Sequence, residues 1–439
     1  MSFRQGSAMA LMQEIPKGVK VLLPEVAAKK RWVEEQFLGV FTRWGFQEVV
    51  TPTFEYFDAI APGLGIELRD KTFTMIERES GSLLVLRPDI TPQIARFAST
   101  LLKERPRPLR LCYVSNVFRY VEPQAGRARE FFQAGVELMG LDSPEADAEM
   151  IAMAVEGLMA VGLDDFHLSV SDIGFFSGVL EELGVPASVE MEIRQAVQRR
   201  DRSALEEISR REKLATRQTH LLPDLLGLVG KGEEVLEKVL PLVETPRCRA
   251  ALEKLSRILK FVDAYGFSDH ITVDLCEIRG FDYYTGMVFE GFTPHLGYEI
   301  CGGGRYDRLL EKFGAPAPAT GFAIDVERVL LALERQGDLA LPAGADVLLI
   351  EFRSRKGEAV RVARNLRSCG LRVARDIIRR ELEGSVAYAR TFQIPWAVVL
   401  GGHGVSEGQA KVVEVARGVE SSVEISRLAE FLQERMRRL

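Results

Sequence analysis

The chain has 439 residues, 46% hydrophobic and 27% charged, with a net charge of −6. These values suit a globular protein of several domains and argue against nonspecific nucleic-acid binding by the whole surface. No apolar run reaches the ~18 residues of a membrane helix and no signal peptide opens the chain. The five cysteines are scattered without metal-ligand spacing, so we expect a cytoplasmic protein with reduced thiols, no metal and no cofactor.

Residues 1–14 read as a loose arm. Pro24-Glu25 opens a helix to about Trp44, because proline suits the first helical turn and apolar positions recur at helical spacing. Phe46 to Val50 reads as a strand stopped by Pro52. Lys71–Glu77 and Leu83–Arg87 read as paired strands around Arg78-Glu79-Ser80-Gly81. In Leu86-Arg87-Pro88-Asp89-Ile90-Thr91-Pro92, two prolines bracket a polar Asp-x-Thr at a strand-to-helix junction. Asp89 or Thr91 there can cap the helix, the commoner use, or face a ligand.

The organising stretch runs from Val117 to Gly140. An apolar run (Leu111 to Phe118) enters, Pro-Gln-Ala-Gly turns, and a second run (Phe131 to Leu138) leaves, as in a hairpin. The strand period of two puts Phe132, Ala134, Val136 and Leu138 on a core face. Phe131, Gln133, Gly135 and Glu137 share the other, where a ligand can lie against bare backbone between an amide and a carboxylate. Arg119, Arg127 and Arg129 ring the turn, and guanidinium forks suit carboxylates and phosphates. Acceptors for an ammonium beside cations for an anion fit a free amino acid or its adenylate; a surface hairpin with ordinary charges is the plainer alternative.

Farther on, Pro144–Val161 is helical and Phe166–Ser171 a strand. Residues 175–265 form a charged helical insertion with breaks at Gly184, Pro186 and Pro223. The sheet resumes at Thr272 and continues through Met287–Phe292 and Tyr298–Cys301. Gly302-Gly303-Gly304 lacks the Gly-Lys-Ser/Thr of a P-loop and marks close backbone approach instead. Gly321–Arg328 starts a strand-to-helix segment ending near Leu333, and 337–344 reads as a linker. The last stretch alternates strand and helix, which implies a small, mostly parallel sheet domain. From Ala345 to Leu439 there are 17 Arg/Lys against 12 Asp/Glu, a local excess compatible with RNA contact or with solvated helix faces.

Five fragments in order, Leu-Arg-Pro-Asp-x-Thr (86–91), Phe-Arg…Gly-Arg-x-Arg-Glu-Phe-x-Gln-x-x-x-Glu (118–137), Arg-Gly-x-Asp-Tyr-Tyr-Thr-Gly (279–286), Gly-Gly-Gly-Arg-Tyr-Asp (302–307) and Gly-Phe-Ala…Glu-Arg (321–328), resemble histidyl-tRNA synthetase. The resemblance implies an α+β fold: a class II synthetase-like antiparallel sheet with flanking helices and a helical insertion over residues 1–333. A linker (334–344) and an anticodon-binding-like α/β domain (345–439) follow. Two groups share the pattern, true synthetases and the non-aminoacylating regulatory subunit of ATP phosphoribosyltransferase.

The departures favour the second group. The synthetase hairpin reads Phe-Arg-x-Glu, its glutamate helping to hold adenine; Val121 stands there and accepts no hydrogen bond. The synthetase glycine three residues before the last arginine is Asp325, whose carboxylate, if aimed into the site, would repel triphosphate by ~1–4 kcal/mol at about 4 Å. Leu-Arg-Pro-Asp-Ile-Thr-Pro-Gln and Ala146-Asp-Ala-Glu149 look like the regulatory subunit's versions. Arg119, Arg279 and Arg328 are nevertheless retained, as is the C-terminal domain, so an active histidyl-tRNA synthetase stays as the alternative.

By the resemblance, Asp89, Thr91, Arg119, Gln133, Glu137, Arg279, Tyr283 and Tyr284 line a histidine pocket, while Val121, Asp325 and Arg328 mark a vestigial nucleotide site. Glu137 and Asp89 would neutralise the α-ammonium, Gln133 accept from it, the tyrosines offer hydroxyls to the imidazole, and Arg119 or Arg279 take the carboxylate. No residue is expected to be catalytic. The implied protein has histidine as effector and activates the short catalytic subunit of ATP phosphoribosyltransferase at the first step of histidine biosynthesis. It would sit as a homodimer within a hetero-oligomer, with RNA and membrane absent from the expected partners.

Overall fold

The computed structural model describes residues 14–122, 128–212, 221–277, 283–337, 339, 344–352, 356–378 and 380–436. The arm expected over 1–14 (but for Glu14), the Pro-Gln-Ala-Gly turn with Arg127, and Arg279 lie outside them. The chain packs as two units. One is Met1–Val21 with Lys30–Asp338, the other Leu22–Lys29 with Leu339–Leu439.

The large unit is built on a nine-stranded sheet. Its strands are β1 (Gln47–Glu48), β5 (Leu109–Phe118), β6 (Glu130–Met139), β7 (His167–Asp172), β8 (Val229–Gly230), β9 (Ile271–Asp274), β10 (Met287–Phe292), β11 (Cys301–Arg305) and β12 (Ala319–Asp325). They lie in the order β1-β5-β6-β12-β11-β10-β7-β9-β8. The pairs β1–β5 and β7–β9 are parallel and the others antiparallel. A smaller sheet joins β2 (Phe54–Tyr56), β4 (Leu83–Leu86) and β3 (Thr74–Ile76). Neither β2 nor β8 stands out in the sequence, since two or three residues hold no readable period.

Helices cover both faces. On one, α1 (Pro24–Arg43) sets Phe41 edge-on against Phe322 at 5.9 Å. Gly157 of α3 (Pro144–Ala160) lies so near Phe37 and Ile324 that a β-carbon there would stand 3.4 and 3.5 Å from them. Ala134, Val136 and Leu138 are fully buried on this side, as the period of two requires. On the other face, α2 (Thr91–Ser99) buries Ile94, Ala95 and Ala98 in a cluster with Tyr113, Tyr283 and Tyr306. The insertion carries α4 (Ile173–Glu182), α5 (Ala187–Gln198), α6 (Arg202–Arg211) and α7 (Pro246–Ala264), and α8 (Val326–Gln336) follows β12.

Three expectations need correction here. The strand placed at Tyr298–Cys301 is Cys301–Arg305, so the triple glycine lies inside a strand and not beyond its end. The helix expected to end near Leu333 runs to Gln336. The smaller unit is less parallel than expected. Its sheet, in the order β14-β13-β15-β16-β17, pairs β13 (Val347–Glu351) in parallel with β14 (Val373–Arg375) and β15 (Trp396–Leu400). The antiparallel strands β16 (Gln409–Glu414) and β17 (Val419–Glu424) then extend it. β17 (Val-Glu-Ser-Ser-Val-Glu) is largely solvent-facing and lacks the apolar run by which the others are read. Among the described residues no helix is long and apolar enough to cross a membrane.

Candidate functional site

Strand register lays the site out in three rows across the face under α2. The first is Leu111–Glu137–Gly321–Gly304–Val288–Ser171, the second Tyr113–Gly135–Ala323–Gly302–Glu290–Ser169, and the third Ser115–Gln133–Asp325. Residues directly opposite across a ladder point to the same side, so Gln133 and Glu137 on β6 face Glu290 on β10 across a floor of glycine and alanine. Gly303 points the other way. A β-carbon there would lie 2.3 Å from Phe322 of the core. The triplet thus meets two demands, a low floor at Gly302 and Gly304 and close core packing at Gly303.

Glu137 is buried at the centre. Thr91, the first residue of α2, donates its hydroxyl to Glu137 Oε1 at 2.6 Å, and the Tyr306 hydroxyl donates to Oε2. Burial pushes the Glu137 carboxyl up to about 8, opposed by those two hydrogen bonds and reinforced by the nearby charge of Asp89. Asp89 is itself buried and raised chiefly by burial. Its Oδ1 accepts from the Ile90 amide at 3.0 Å and its Oδ2 from the Tyr283 hydroxyl at 3.2 Å. Tyr283 packs edge-on against Tyr284 at 5.0 Å and against Tyr306 at 5.7 Å. Gln133 Oε1 is buried and meets no donor among the described residues, leaving an acceptor for an incoming N–H.

Asp89, Thr91, Gln133, Glu137, Tyr283 and Tyr284 of the sequence-derived set are therefore gathered together, with several roles altered. Neither Asp89 nor Thr91 caps α2, whose N-cap is Ile90 without a side-chain bond. Thr91 is engaged by Glu137 from across the sheet, a long-range partner that local pattern does not reveal. Tyr283 gives its hydroxyl to Asp89. The bare backbone expected at Gly135 is filled by the ring of Tyr113, its cross-strand partner, whose hydroxyl would lie 2.5 Å from a β-carbon there. Arg119 donates from Nε to the Pro88 carbonyl at 2.8 Å, lies 3.9 Å from Asp89 Oδ1, and stacks over Phe131. Arg129 donates to the Val121 carbonyl at 3.0 Å and stacks over Tyr120.

Tyr306 and Tyr113 are the residues that sequence reading missed. Tyr306 continues the parity of Gly302 and Gly304 in the sequence, and the register of β5 on β6 sets Tyr113 opposite Gly135.

Asp325 shares the row of Gln133, but its carboxylate is already engaged. It caps α8, Oδ1 accepting from the Arg328 amide at 3.0 Å, while Oδ2 lies 3.1 Å from Arg328 Nε. Burial raises the Asp325 carboxyl to about 6 despite Arg328. Arg328 also donates from Nη1 to the side chain and the carbonyl of Glu299, both at 2.5 Å, and lies over the Tyr298 ring. The expected repulsion of triphosphate is thus replaced by capture: the arginine is held between two carboxylates. Val121 is half-buried, and its carbonyl accepts from Arg129 Nε at 3.0 Å.

The strand hairpin, helix start and tyrosine cluster gathered around buried Glu137 define a protein of the class II histidyl-tRNA synthetase kind. The model of histidyl-tRNA synthetase matches residues 18–329, and that of the anticodon binding domain matches 346–435. Within that class, the chain belongs to the family of ATP phosphoribosyltransferase regulatory subunits. Proteins of that name from Geobacter metallireducens and Desulforamulus reducens are 43% and 42% identical to it, covering 92% and 89% of this chain and 92% and 96% of theirs. A crystal structure described as an ATP phosphoribosyltransferase regulatory subunit/histidyl-tRNA synthetase from Bacillus halodurans superposes with a TM-score of 0.79 at 31% identity, covering 89% of this chain and 99% of that one. Histidyl-tRNA synthetase from Nostoc gives 0.83 at 22% identity, over 96% and 99% of the two chains, a likeness of fold alone.

Proposed function

We propose that this chain is a regulatory subunit without chemistry of its own, which binds free histidine in the recess above β6 and adjusts the output of a separate ATP phosphoribosyltransferase catalytic subunit. One observation carries the reading: the two halves of the site have parted. The amino-acid half keeps a buried carboxyl, an unmet amide oxygen and a tyrosine wall. In the nucleotide half, Arg328 is held by Asp325 and Glu299, and Val121 replaces an acceptor. A pocket that admits histidine but not triphosphate has no route to an adenylate, and so works as a sensor.

In this reading Glu137, Asp89 and Gln133 meet the α-ammonium, the tyrosine wall meets the imidazole, and Arg119 meets the carboxylate. Histidine lowers catalytic output only if it binds the less active form of the complex more tightly than the active one; a coupling of ~1–3 kcal/mol is typical. The matched anticodon-binding domain favours the other reading, an aminoacylating enzyme.

The test is histidine-dependent ATP–pyrophosphate exchange by the purified chain, beside calorimetric titration with histidine. We expect no exchange, histidine binding, and activation of the short catalytic subunit on mixing. Robust exchange would overturn the proposal in favour of the synthetase.

A further inference from the structure

Tyr113 lies within β5 and is fully buried, its ring packed in the cluster that Ile94, Tyr283 and Tyr306 share beneath α2. A phenylalanine ring would fill that space equally well, so the hydroxyl is all that tyrosine adds. Its oxygen is enclosed and meets no hydrogen-bond partner among the described residues. The Thr91 hydroxyl nearby gives its hydrogen to Glu137 Oε1 at 2.6 Å. An enclosed hydroxyl without a partner costs stability, and packing alone would select phenylalanine here. Tyrosine at this position calls for a partner that comes from outside the chain.

Strand register shows where that partner would lie. Tyr113 stands opposite Gly135 on β6, and its Oη is 2.5 Å from the place a β-carbon on Gly135 would take. Gly135 in turn separates Gln133 from Glu137 on the same face of β6. A ligand that engages both of them, as the proposed function requires, passes over Gly135 and meets the Tyr113 hydroxyl. Gln133 Oε1 is likewise enclosed and without a donor among the described residues, so two unmet polar atoms stand in adjacent rows of one strand pair. The acidic groups Glu137 and Asp89 act on the hydroxyl from close by, which favours a cationic group at this point and opposes a carboxylate.

We propose that Tyr113 contacts the ligand directly, its hydroxyl oxygen accepting from the α-ammonium group of bound histidine. An ammonium carries three N–H donors, and Gln133 Oε1, Tyr113 Oη and the Glu137 carboxyl supply three acceptors along one strand pair. A side chain at Gly135 would stand in the place of that nitrogen. The proposal rests on the reading that the recess takes free histidine.

Tyr113→Phe removes the hydroxyl and keeps the ring, and with no partner lost in the free chain it should not destabilise the fold. In the full-length chain, the variant is expected to melt at or above the wild-type temperature yet bind L-histidine at least tenfold more weakly by calorimetry. L-histidinol, which keeps the ammonium and imidazole but lacks the carboxylate, should lose affinity by the same factor. Wild-type affinity for histidine in Tyr113→Phe would overturn the proposal. So would weakened binding matched by a lower melting temperature, which would give the hydroxyl a structural partner in the free chain. A loss seen with histidine and absent with histidinol would move the contact to the carboxylate and overturn it too. Glu137→Gln serves as control: if it binds histidine like the wild type, the pocket reading fails whatever Tyr113 does.

Discussion

Glu137 stands over Gly321, its cross-strand partner on β12, so closely that a β-carbon at Gly321 would lie 2.1 Å from Glu137 Oε2 and 2.5 Å from the Val136 carbonyl. The orientation of the buried carboxyl toward Thr91 and Tyr306 thus depends on the absence of a side chain on the neighbouring strand. Gly321→Ala should displace the carboxyl or spread the strands. The expected result is a loss of ~1–3 kcal/mol of stability, as for overpacked cores, with at least a tenfold loss of histidine affinity. Thermal unfolding and calorimetry read the two effects separately. An alanine variant that binds histidine normally would show that the carboxyl need not be so placed.

The raised Glu137 carboxyl predicts proton release on binding. Near pH 7 it is mostly protonated in the free protein, and an ammonium group placed beside it favours the ionised form. Histidine binding should therefore expel a fraction of a proton at pH 7 and almost none above pH 9. Calorimetry in buffers of different ionisation enthalpy measures that fraction. The stability sign is opposite to that of an ordinary surface carboxylate. A carboxyl raised from 4.5 to about 8 on folding contributes stability that is complete below 4.5 and lost as pH rises through 8. Glu137→Gln should remove part of that slope, the remainder coming from Glu327, also raised to about 8 by burial, and from Asp325 and Asp172, raised to about 6. At pH 9 the variant should exceed the wild type by roughly 2–4 kcal/mol while binding histidine poorly.

Asp325→Gly tests the capture of Arg328. The variant loses the side-chain cap of α8, at a cost of roughly a few tenths of a kcal/mol because glycine suits an N-cap, and removes one of the two carboxylates that hold Arg328. Affinity for ATP should rise severalfold in equilibrium titration, and further when Val121→Glu is added. Unchanged affinity in both variants would mean that Arg328 is not what limits nucleotide binding.

Arg305, 1% exposed, forms a buried pair with Asp147 at 2.8 Å and reaches Asp307 at 3.0 Å. Arg305→Met removes the nearer cation from buried Asp147, leaving Lys254 at 3.6 Å, and breaking such a buried pair typically costs ~3–5 kcal/mol. Chemical denaturation should show a loss of that size, with much of it recovered in Arg305→Met/Asp147→Leu. Equal losses in the single and double variants would place the cost in packing and not in the uncompensated charge.

The hairpin and its parity were legible because a ten-residue strand repeats its period enough times to be read. Asp89, Thr91, Gln133, Glu137 and Tyr283 were legible through motif likeness, and the structure brings them together. What stayed hidden was decided by contacts that no local period announces. Thr91, on a helix, answers to Glu137 on a strand 46 positions away, and Asp325 to the helix it opens and to Arg328. A single chain read residue by residue does not show which of several polar groups such a side chain will meet.

At Gly302, by contrast with Gly321, an added β-carbon would meet only the Phe289 carbonyl at 3.4 Å and Glu290 Cγ at 3.6 Å, ordinary contact distances. A methyl group there is accommodated by the backbone, so on the proposed reading Gly302→Ala separates binding from folding: the variant should melt like the wild type and bind histidine more weakly, a difference that thermal unfolding and calorimetry read side by side.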